Sequence, residues 1–138
     1  NIEQLEETLA EYSKLENVQI MFNVTLQNYN VFNLPELHNF LNELEDKYPR
    51  VSANNSFTTI CNQPAYLSPM NLPDNLRDQA VERLSIYDDF KKLVKSMNKR
   101  TFNEEQWDIF INYTKDLDKL RNDNVVDAVP ELKEYFVC

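Results

Sequence analysis

The chain contains no glycine in 138 residues. That absence excludes the P-loop and the dinucleotide-binding fingerprint, which need backbone free of side chains where phosphate approaches. It also removes the usual occupant of left-handed turn positions, so asparagine is expected to take that role. Histidine is almost as scarce, with His38 alone. A Ser–His–Asp triad would have to use it, but no nucleophile signature accompanies it. It stands beside Leu37 and Leu41 on an expected helix, where a hydrogen-bonded structural role is the expectation. Cys61 and Cys138 are the only thiols. Two distant thiols and one histidine make no zinc site. Such usage suits a reducing cytoplasm, with a Cys61–Cys138 disulfide the less expected state. No apolar run approaches the roughly eighteen residues that a membrane span needs. Positive charge is short as well: 14 Lys and Arg against 23 Asp and Glu give a net charge of -9. Nucleic acid would be repelled. No signal peptide and no initiator Met is present, and the first residues read as the middle of a helix. The chain is therefore expected to be a piece of something longer or a processed product.

What is present is organised around residues 18–72. Val18 to Leu26 alternates strictly, with Val18, Ile20, Phe22, Val24 and Leu26 on one face and Gln19, Met21, Asn23 and Thr25 on the other. Period two with β-branched and aromatic residues predicts a strand. Asn28 to Asn30 predicts a turn. Asn33 is an expected helix cap and Pro35 suits a first turn, whose N–H groups lack partners anyway. Leu34, Leu37, Leu41 and Leu44 form the apolar stripe of that helix, which Tyr48-Pro49 should end. Val51 to Cys61 reads as a second extended segment. Strand, helix, strand with short connections predicts a right-handed crossover and therefore parallel strands.

At this length a single domain with a real core is expected, organised as residues 1–72 followed by a helical tail over 73–138. Residues 2–16 read as an acidic amphipathic helix with Ile2, Leu5, Leu9, Tyr12 and Leu15 on one side and a stop at Asn17. The proline-marked loop 62–73 excludes regular structure, yet Tyr66, Leu67, Met70 and Leu72 should pack it down. Pro73 starts the next helix, with Asp74 near the positive end of its dipole. Leu76, Ala80, Val81 and Leu84 carry its stripe, and a second run from Tyr87 to Met97 follows a break near Ser85. Lys91, Lys92, Lys95, Lys99 and Arg100 read as a solvated basic face, or else as a docking patch for an acidic partner. Asn103 caps a further helix whose inner face holds Trp107, Phe110, Ile111, Thr114, Leu117 and Leu120, with Trp107 expected in the core. A short last helix spans 131–136. Acidic pairs such as Glu6-Glu7 and Asp88-Asp89 point about 100° apart on a helix and do not converge on one ligand.

The residues that could bind something lie on the polar strand faces. Asn23 and Thr25 point away from the apolar face of the first strand, and Asn54, Ser56 and Thr58 are expected to do the same on the second. Buried parallel strands usually read as apolar runs, so polar residues there indicate either a lined cavity or plain exposure. Ligands of α/β folds bind at the carboxyl ends of strands, near which Thr25, Asn28 and Thr58 should sit. The predicted site is therefore Asn23, Thr25, Asn28, Ser56 and Thr58. The Asn-x-Ser/Thr triplets at Asn23, Asn54 and Asn112 are expected to be coincidental rather than glycosylated.

Phe22 to Leu37 resembles a late strand-and-helix unit of radical S-adenosylmethionine proteins of the twitch-domain kind. Pro64-Ala-Tyr-Leu-Ser68 with Asn71-Leu-Pro73, and the close formed by Tyr113 to Arg121, Asp127 and Pro130-Glu-Leu132, are similar to that family too. The resemblance implies an α/β fold: a two-strand parallel βαβ unit, the C-terminal part of a partial (β/α)₆ barrel, followed by a mainly helical tail. It implies S-adenosylmethionine and a [4Fe–4S] cluster as cofactors, the latter on a Cys-x₃-Cys-x₂-Cys loop. This chain has no such loop, so the segment alone is expected to be inactive. Its share would be cavity wall from Asn23, Thr25, Asn28, Ser56 and Thr58, and its partner the remainder of the barrel or a self-associated copy. The alternative is a non-catalytic acidic α/β or helical module, viral or otherwise, that binds other proteins.

Overall fold

The computed structural model describes residues 1–136; Cys138, and with it any pairing to Cys61, lies outside the described residues. Helix α1 (Ile2–Tyr12) opens at Asn1, whose side-chain oxygen accepts the Glu3 N–H at 3.0 Å. That contact satisfies one donor of the first turn. Leu9 is its buried residue, with Leu5 and Ala10 packed partly beside it. The helix is shorter than its periodicity predicts. It ends at Tyr12, and Tyr12 and Leu15 are exposed.

The central unit is a parallel crossover, as the sequence predicts. Strands β1 (Ile20–Met21) and β2 (Thr25–Leu26) lead through helix α2 (Leu34–Lys47) to strands β3 (Val51–Ser52) and β4 (Thr59–Ile60). β1 pairs with β3 and β2 with β4, both parallel, with Ile20 opposite Val51 and Thr25 opposite Thr59. The expected strand over Val18–Leu26 is present as two short pieces, Ile20–Met21 and Thr25–Leu26, but its alternation persists: Gln19, Met21, Asn23 and Thr25 are exposed while Val18 to Leu26 on the other parity are buried or half-buried. The second segment is split as well. Met21 to Thr25 on the first side is matched by the longer Ser52 to Thr59 on the second. The extra residues form a turn in which Asn55 takes φ 59° and the Ser56 hydroxyl donates to Ala53 O at 2.7 Å. Val24 N–H still donates to Ser56 O at 2.8 Å, which ties the turn to the first strand.

α2 buries Leu34, Leu41 and Leu44 and carries Pro35 in its first turn. Asn33 precedes it without capping it by its side chain, because a 3₁₀ turn over Val31–Asn33 already leads into the helix. The Asn33 amide donates to Ala128 O instead, at 3.3 Å. Loop 62–73 packs down through two 3₁₀ turns, Ala65–Leu67 and Pro69–Asn71, with Ser68, Pro69, Asn71 and Leu72 buried.

Helix α3 (Asp74–Leu84) starts after Pro73 and ends at Ser85. A 3₁₀ turn at Asp88–Phe90 separates it from helix α4 (Lys91–Lys99). The basic run is divided. Lys92, Lys95 and Lys99 are exposed, while Arg100 turns inward with its side chain 4% exposed and contacts Asp74 at 2.9 Å. Helix α5 (Glu104–Arg121) is capped by Asn103, whose side chain accepts the Gln106 N–H at 3.1 Å. Trp107, Phe110 and Thr114 face the core as predicted, but Leu120 is 82% exposed. It lies on the outward stripe with Ile109 and Tyr113, which recur with it at helical spacing. Helices α6 (Val125–Ala128) and α7 (Lys133–Phe136) close the described chain. One apolar cluster runs from Leu9 through the α2 leucines to Leu132, so both parts of the chain share a core. The positive-φ residues among those described are Asn17, Asn55 and Asn122, the substitution for glycine that the composition predicts.

Candidate functional site

The crossover leaves one polar face bare along its strands. Asn23, Thr25 and Thr59 are exposed there, and the Thr59 hydroxyl donates to Asn23 Oδ1 at 2.9 Å. With its oxygen engaged, Asn23 keeps its amide N–H groups free to donate. Thr25 faces Thr59 in register, so two hydroxyls and an amide share this surface. The end of the first strand is closed by Asn30. Its side chain accepts the Gln27 N–H and donates to Thr25 O, each at 2.9 Å.

The other three predicted residues are not brought to this face. Asn28 is fully buried beneath loop 62–73, where its amide donates to Tyr66 O and its own N–H to Leu67 O, both at 2.9 Å. Its Oδ1 has no partner. Ser56 is buried and Thr58 is exposed on the turn, donating to Asn55 O at 3.3 Å. Ser56 and Thr58 line a separate recess with Asp88, Asp89, Lys91 and Lys92. The residue that straight-strand counting misses is Thr59. The turn at Ala53–Phe57 shifts the parity of the second segment, so Thr59 and not Thr58 continues the polar face. The run of Asn and Ser at 54–56 is the signal that such a turn was there.

His38 is engaged structurally. Asn42 donates to its Nδ1 at 3.2 Å, which places the ring hydrogen on Nε2, and Nε2 donates to Asp89 Oδ2 at 2.8 Å. Phe57, Tyr87 and Phe90 surround the ring. Asp88 pairs with Lys91 at 2.8 Å, so the two adjacent aspartates have different partners while lining one recess.

Tyr29, in the turn after β2, bridges to the helical part. Thr114 donates its hydroxyl to Phe110 O, so the Tyr29 OH donates to Thr114 Oγ1, at 2.7 Å. Burial holds the Tyr29 phenol above its ordinary pKa, against the opposing effect of the Thr114 bond. Tyr29 and Thr114 line a recess of about 480 Å³ with Asp118, Arg121 and Asp127, and none of the five predicted residues belongs to it. Among the described residues no group of three His, Cys, Asp or Glu could hold a metal ion, and no helix is long and apolar enough to cross a membrane. Cys61 is buried, with its sulfur 3.6 Å from Gln63 O. No protein-family model matches this chain, and no curated protein or solved structure matches it either.

Proposed function

We propose that this chain is the C-terminal part of a radical S-adenosylmethionine iron–sulfur enzyme, forming one wall of the cavity for cosubstrate and substrate. The observation that carries this reading is the bare polar face along two parallel strands, where Asn23, Thr25 and Thr59 stand uncovered. The parallel crossover and the resemblance of Phe22–Leu37 support it. The [4Fe–4S] cluster does not fit the described residues, which offer one thiolate where such a cluster takes three or four. Its ligands belong to another part of the protein, and this chain alone is inactive. The cosubstrate fits better. Asn23 N–H groups and the Thr25 hydroxyl are free to bond a polar ligand, whereas Asn28, Ser56 and Thr58 are turned to the protein's own backbone. The partner is the remainder of the barrel, and the compartment is the reducing cytoplasm, where such a cluster persists.

The test is anaerobic reconstitution of the natural full-length product with iron and sulfide. The expected result is cluster absorbance and reductive cleavage of S-adenosylmethionine to 5′-deoxyadenosine, with weaker cosubstrate binding in Asn23→Ala and Thr25→Ala. A natural product that carries no Cys-x₃-Cys-x₂-Cys loop overturns the proposal. One observation favours the second reading, a protein-binding module: α5 presents Ile109, Tyr113 and Leu120 outward on one stripe. A product without cysteine loop or cleavage activity that captures another protein through that stripe would decide for it.

A further inference from the structure

No further inference is drawn: the strongest candidate, the recess of about 480 Å³ between the turn after β2 and the corner joining α5 to α6, carries nothing, because its charged lining is a cluster of aspartates, Asp118, Asp123 and Asp127 beside Arg121, and no second observation points to a ligand there.

Discussion

Phe110 and Asn23 mark the difference between the helical residues 73–136 and the strand-bearing residues 1–72. Phe110 is fully buried and its ring meets Tyr29, Trp107 and Phe136 at 5.1, 5.0 and 6.2 Å. Asn23 has one hydrogen bond, to Thr59, and otherwise faces outward. The helical part turns its large side chains onto a shared core. The strand-bearing part has short ladders, an uncovered face, an open edge, and a first helix held by one buried leucine. Closure against itself is what a segment needs to be stable. Lack of closure is where a segment has surface left for something else.

Truncation should expose the contrast most strongly. Phe110→Ala deletes a ring at the centre of the aromatic group and should cost about 3–5 kcal/mol, measured by chemical denaturation. Ile2→Ala, on α1 at 62% exposure, should cost no more than about 0.5 kcal/mol. Comparable costs at the two positions would break the comparison.

The seam between the two parts gives a smaller effect. Tyr29→Phe removes the hydroxyl that donates to Thr114 and should cost about 1 kcal/mol at neutral pH. It should also alter the alkaline limb of stability. Burial raises the Tyr29 pKa above 10.0, so the folded chain holds a proton that the unfolded chain releases first. The associated stability is complete below the unfolded pKa and is lost as pH rises through the folded one. Denaturation followed between roughly pH 8 and 11 should therefore show the wild type falling more steeply than Tyr29→Phe. A residual fall is expected from Tyr135, which burial raises as well.

The two parts were also unequally legible in the sequence. The inner and outer faces of Val18–Leu26 were readable because extended backbone has period two and one face finds a core, although only Ile20–Met21 and Thr25–Leu26 pair as strand. The parallel crossover followed from the short connections of α2. The second segment was not readable by period, because the turn around Asn55 reverses parity midway and moves the polar position from Thr58 to Thr59. Asn28 looked like a ligand residue at a strand end, but its burial depends on loop 62–73 folding over it from far along the chain. Leu120 satisfied the helical stripe by spacing, yet α5 outlasts the core it packs against, and a stripe alone does not say where the partner surface ends. Local pattern fixed the elements; which face remained bare was decided by contacts distant in sequence.

The smallest expected effect bears most directly on function. Asn23 and Thr59 are both exposed, and their 2.9 Å hydrogen bond competes with water on each side. Such a bond contributes little, because folding exchanges solvent bonds for it at nearly equal free energy. Asn23→Ala, Thr59→Ala and the double variant should each lie within about 0.5 kcal/mol of wild type in denaturant unfolding, with a coupling energy near the error of a double-mutant cycle. A coupling above about 1 kcal/mol would mean that the pair holds the strands together, and would leave the face a structural explanation. A negligible coupling removes that explanation. Two polar side chains that stabilise nothing, on the face they share with Thr25, are then free to bond a ligand, and a loss of cosubstrate affinity in Asn23→Ala could be read as lost contact rather than lost fold.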